Sequence, residues 1–182
     1  MAIIKPNNNT ISAITALPAA IPTGKILQVV QTVETDAVAI SSNDVITEFV
    51  SASITPSSTS NKILITCHGV YGNSTDDSFG HILLFKGSSV LSGAIGDANS
   101  SAYRATTGAS PRTMGGLSNN ITRQFSFEFL DSPSTTSATT YSGRAVATNR
   151  TTMYIGRSGT VSDDNRISAI TTLTLSEIAG WL

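Results

Sequence analysis

His68 and His81 are the only histidines of this 182-residue chain, and Cys67 is its only cysteine. Acid–base or nucleophilic chemistry would have to be assembled from these, from 12 Asp and Glu, and from abundant hydroxyls. The two histidines fall on different expected strands. A Ser–His–Asp triad follows no fixed order along a chain, but the sequence has no G-x-S-x-G elbow. With 26 Ser residues, nothing singles out a nucleophile. His68 reads as a half-buried strand residue, and Cys67, in "KILITC", as a small buried hydrophobe. One cysteine excludes an internal disulfide and any multi-cysteine metal site. Asp76 and Asp77 in "NSTDDS", and the carboxylates of "SDDNR" (162–166), are paired within loops. Calcium needs six to eight oxygens, usually from a D-x-[DN]-x-[DN]-G loop, and neither stretch has that form. They read as solvated turns. "FKGSS" and "GRSGT" set glycine beside a base, but no strand–loop–helix follows to cradle a phosphate. A glycosidase needs two placed carboxylates, and none stand out. No catalytic residue, metal or cofactor is expected.

One surface pair remains. Tyr103 and Arg104 sit in the long, irregular, Gly/Ser-rich stretch from Gly96 to Asn120. Long loops on rigid β scaffolds carry binding function, and Tyr and Arg are favoured contact residues. Tyr103, Arg104, Asp76 and Asp77 are therefore the candidates for contact with a receptor.

The elements that must position these residues are strands. Charged residues are only 13% of the chain, and 26 Ser with 25 Thr take their place. This composition is too apolar and too neutral for disorder, and it suits β structure with polar outer faces. Net charge is −1, and the basic residues are scattered, so no nucleic-acid footprint is present. No apolar run approaches the ~20 residues of a membrane span, and the first residues lack the pattern of a secretory signal. From Lys25 onward the period is two. Val50, Ala52 and Ile54 share a face, as do Ile63, Ile65 and Cys67, and as do Leu173 and Leu175. Phe125, Phe127 and Phe129 alternate with Ser126 and Glu128. About eight strands result, punctuated as in an antiparallel, jelly-roll-like β-sandwich. "SITPSSTSNKILI" and "FLDSPSTTSATTYSGRAV" each pass from strand to Pro-Ser-Thr patch to strand. Pro56 and Pro133 stop the ladder there, and the hydroxyls bond nearby backbone. The strands on either side read as successive antiparallel neighbours.

Residues 1–24 differ from the rest. They hold three prolines, three consecutive asparagines and one charged side chain, Lys5. Pro18 and Pro22 forbid a long helix. Ile3, Ile11, Ile14, Leu17 and Ile21 mark an extended apolar arm that packs on something else. The expected organisation is an arm, 1–24, and a sandwich, 25–182.

"GKILQVVQT", "SASITPSSTSNKILI", "FEFLDSPSTTSATTYSGR" and "ISAITTLTLSEIA" together resemble a domain of virion structural and tail-fibre proteins of tailed bacteriophages, especially of marine and freshwater hosts. The resemblance spans roughly Gly24 to Ala179. It implies a small β-sandwich that trimerises on the outside of a virus particle, and it supplies no catalytic motif. The expected protein is a non-enzymatic homotrimeric knob at the virion surface, made in the host cytoplasm. It decorates the capsid or forms a short head fibre, and the arm holds it to capsid, portal or tail proteins. The alternative is a tail-fibre tip or adhesin that contacts host surface glycans. Length favours the first, because no heptad or fibrous repeat supplies a shaft. An arm of 24 residues reaches at most ~80 Å.

Overall fold

The computed structural model describes residues 25–41, 45–74, 79–109, 122–148, 152–159 and 167–180. The arm residues Ile3, Ile11, Ile14, Leu17 and Ile21, the pair Asp76 and Asp77, and the stretch 162–166 lie outside the described residues.

Period-two patterning becomes antiparallel strands throughout. They are β1 (Ile26–Glu34), β2 (Val38–Ile40), β3 (Thr47–Ile54), β4 (Lys62–Asn73), β5 (Phe79–Lys86), β6 (Ser89–Val90), β7 (Thr107–Ala109), β8 (Arg123–Asp131), β9 (Thr139–Thr148), β10 (Met153–Ile155) and β11 (Thr171–Ile178). These eleven segments fill eight lanes. β10 and β11 run end to end along β4, β2 and β1 run end to end along β10 and β11, and β6 and β7 run end to end along β5. Numbered by lane, the first sheet reads 1-8-3-6 and the second 2-7-4-5. That order is the double-sheet jelly roll. The expected fold class and strand number are thus found, with three of the lanes broken by intervening segments.

The core lies between the sheets and follows the alternation. β4 sends Ile63, Ile65 and Cys67 inward, β11 sends Leu173 and Leu175, and β8 sends Phe125 and Phe127. Phe49 meets Phe125 edge-on, with ring centroids 5.7 Å apart at 77°, a favoured aromatic geometry. β5 is buried on both faces. Ile82 and Leu84 enter the core, while Leu83 and Phe85 are covered on the outer face, where the Arg144 guanidinium lies 4.4 Å from the Phe85 ring centroid.

Three expectations change. The strands flanking each Pro-Ser-Thr patch are not paired neighbours. β3 and β4 belong to different sheets, as do β8 and β9, so both patches carry the chain across the sandwich. Their lengths exceed those of tight hairpins because they span two layers. His68 is exposed rather than half-buried, because its position in β4 faces outward. The stretch from Gly96 is not wholly irregular, since Thr107–Ala109 forms β7 against Gly80–Ile82.

Candidate functional site

The jelly-roll order gives the molecule two unlike ends. At one end lie the crossover 55–61, the tight turn at Gly87 with φ 59°, the crossover 132–138, and both chain ends of the described sandwich. There Ala179 N–H donates to the Lys25 carbonyl at 2.9 Å, and Gly180 N–H donates to Asn61 Oδ1 at 2.9 Å. This is called the terminal end below. The connections β2–β3, β4–β5, β7–β8 and β9–β10 join strands at the other, distal end.

Two buried polar clusters tie the sheets together at the terminal end. The first centres on Glu177, which is fully buried. Its Oε1 accepts from Ser57 N–H at 2.6 Å, Ser57 Oγ at 2.8 Å and Asn61 Nδ2 at 2.5 Å. Its Oε2 accepts from Gln28 Nε2 at 2.6 Å. Burial alone would raise this carboxyl, but the hydrogen bonds from Asn61, Gln28 and Ser57 outweigh burial and hold it at about 2. A charged group thus clamps the first Pro-Ser-Thr crossover onto β11 and β1, with neutral donors only.

The second cluster centres on Asp131 at the end of β8. Its Oδ2 accepts from Lys86 Nζ of β5 at 2.7 Å and from the buried Tyr141 hydroxyl of β9 at 2.6 Å. Burial, and then the bond to Asp131 and its charge, push the Tyr141 phenol well above its usual value. The hydroxyl therefore stays protonated and donates. Neither cluster offers an exposed group to a substrate. Both fix geometry.

The structure brings Tyr103 onto the outer face of the second sheet. Its ring stacks on His81 with centroids 4.4 Å apart at 26°, and it stays 61% exposed. Arg104 Nε donates to the Gly96 carbonyl at 2.7 Å, which directs this exposed side chain back along its own loop. His68 is distant from this pair in the fold. It lines a shallow groove of about 420 Å³ on the outer face of the first sheet with Val70, Gln124, Ser126, Ile170 and Thr172. Burial pushes the Cys67 thiol up to about 12, so it is an inert core residue as its apolar setting suggests. Among the described residues, no three or more His, Cys, Asp or Glu side chains come together as metal ligands.

Sequence reasoning missed Glu177 and Asp131. Each occupies an inward position in an alternating strand, and the period-two pattern itself marked them as polar groups in apolar places.

No protein-family model matches the chain, and no curated protein matches it. Among solved structures it is similar to the structure of infectious bursal disease virus Gx strain, with a TM-score of 0.41, and to the VP2 subviral particle of infectious bursal disease virus, with a TM-score of 0.42. Each shares 11% identity over 84% of this chain and 37% of the other chain, so this chain spans little more than a third of their length. Overlap this loose bears on neither activity nor partners.

Proposed function

We propose that this chain is a non-enzymatic structural protein of a bacteriophage particle: a trimeric jelly-roll knob on the virion surface, attached through Met1–Gly24. The observation that carries the reading is the placement of Lys25 and Gly180 at one end of the sandwich, beside the two buried clusters. The segment before Lys25 joins the sandwich at its most heavily braced end. The distal end and both outer faces are left for other contacts. The resemblance of β1, β3–β4, β8–β9 and β11 to phage surface domains supports the same reading. Jelly rolls also serve as lectin domains and cupins, so fold alone does not decide. The test is a chain that begins at Lys25. It folds and keeps its subunit number, and it fails to join particles that lack the native protein. Decoration equal to that of the full chain would show that the arm is not the anchor.

The second reading is contact with a host surface glycan, favoured by the exposed Tyr103 ring braced on His81. An exposed aromatic face backed by a second ring suits stacking on a sugar. Tyr103→Ala then abolishes binding to host polysaccharide while the melting temperature is kept. Unchanged binding removes this reading.

A further inference from the structure

We infer that the first sheet adds to a second copy of this chain, edge to edge, with β1 of one copy beside β8 of the next. This rests on the trimeric reading above and assigns its contact surface.

Among the described strands the sheet has two free edges: β1 pairs with β11 alone and β8 with β4 alone. A free edge presents unpaired N–H and C=O groups, and proteins protect long edges with charge, proline or a sharp bulge. From Ile26 to Val33, β1 carries no charge and no proline. Its one irregularity lies at its start, between Ile26 and Gln28. Its outward side chains Val29 and Val33 are 57% and 47% exposed. On the opposite edge Leu130 is 47% exposed.

The outer face between these edges is ordered in rows. The strand register aligns Val29, Ser176, Leu64 and Leu130 in one row, Gln31, Thr174, Thr66 and Glu128 in the next, and Val33, Thr172, His68 and Ser126 in the third. Only Glu128 and His68 carry titratable groups.

Three features select another copy of this chain as the occupant. First, the sheet has an even number of lanes, so a β8 edge placed beside a β1 edge continues the antiparallel alternation without inversion of either molecule. Second, the charges match by height. Glu34 and Asp36 stand at the distal end of the first lane, and Arg123 stands at the distal end of β8. The row of Arg123 runs through Tyr71 and Ile155 to Val38, two residues past Asp36. The ion pairs among the described residues are Lys86–Asp131 and Arg144–Glu48, so these three charges have no ion-pair partner there. Third, the join sets Leu130 beside Val29 of the next copy and extends the apolar row already formed with Leu64. A contact between two different edges is heterologous and closes as a ring when the rotation allows.

Cysteine pairs test this directly, because native Cys67 is buried. Gln31→Cys and Glu128→Cys are surface changes that lie three lanes apart within one chain, about 14 Å, too far to bridge. In adjacent edges they fall within disulfide reach. The expected result is a cross-linked ladder that stops at three chains for the double variant, with no cross-link in either single variant under the same oxidation. Ser126→Cys and Leu130→Cys in place of Glu128→Cys read neighbouring registers. Cross-linked pairs from Gln31→Cys alone would mean that β1 meets β1 about a two-fold axis, and the inference would be wrong. A native trimer by sedimentation with no cross-link at any β8 position would sink this surface and leave the trimeric reading standing. A native mass of one 18.9 kDa chain would remove both.

Discussion

Glu177 is the residue on which the terminal end depends most. A carboxylate there accepts four hydrogen bonds, each from a neutral donor. Glutamine keeps the shape but turns one acceptor into a donor that faces other donors. A buried donor without a partner costs about 1–3 kcal/mol. Glu177→Gln is therefore expected to lower stability at pH 6 by about 2 kcal/mol, measured by urea denaturation. The pH dependence follows from the direction of the shift. The folded carboxyl titrates at about 2, below its usual 4.5. Its stabilising contribution is present above pH 4.5 and is lost as pH falls from 4.5 through about 2. The gap between wild type and variant should narrow from pH 6 to pH 3. A constant gap would mean that the charge is not what the clamp holds. Cys67 gives a second check at this scale. With its thiol at about 12, it should react with an aromatic disulfide only as fast as the native state opens. Rapid labelling at pH 8 would contradict its burial.

At the scale of elements, strand glycines separate tight from open packing. Gly143 pairs with Val50 beside an irregularity in β3. A Cβ there would fall 2.6 Å from Phe49 Cζ and 3.1 Å from Val50 Cγ1. At Gly108 in β7 a Cβ would meet nothing within 4 Å. Gly143→Ala should lose about 1–3 kcal/mol through overpacking, and Gly108→Ala should be near neutral. Equal melting temperatures would show that Phe49 can move aside freely. The same elements show what the sequence made legible. The Phe125–Phe127–Phe129 alternation gave β8 with the right face inward, because that signal is local and a strand is read from its own residues. Lanes were not legible in that way. Whether β3 pairs with β4 or crosses to the other sheet depends on β9 and β11, far along the chain, and the Pro-Ser-Thr patch looks the same in either case. The outward placement of His68 had been available from parity with Cys67. The Tyr103–His81 stack was not, since it joins a loop to a strand that is not its neighbour in sequence.

For the whole molecule, the uneven bracing of the sandwich implies uneven stability. The terminal end holds the Glu177 clamp, the Asp131–Lys86–Tyr141 cluster and the paired chain ends. Toward the distal end the first, fifth and eighth lanes finish in three-residue segments β2, β7 and β10, each reached through an interruption of the ladder. β2 and β10 still place Ile40, Met153 and Ile155 in the core, whereas β7 has Thr107 half-buried and Gly108 exposed, so β7 opens at low free energy. A knob seated by its terminal end would then be rigid where it attaches and adaptable where it meets other surfaces. Native-state hydrogen exchange can test this residue by residue. Amides of Ile63–Cys67 in β4 and Leu173–Glu177 in β11, which pair with one another in the centre of the sheet, should exchange only through global unfolding. Amides of β7 should exchange at least tenfold faster, through local opening. The comparison needs no knowledge of the partner. If β7 proves as slow as β4, the distal end is held by contacts as strong as the two buried clusters, and the division into a rigid seat and an adaptable top is wrong.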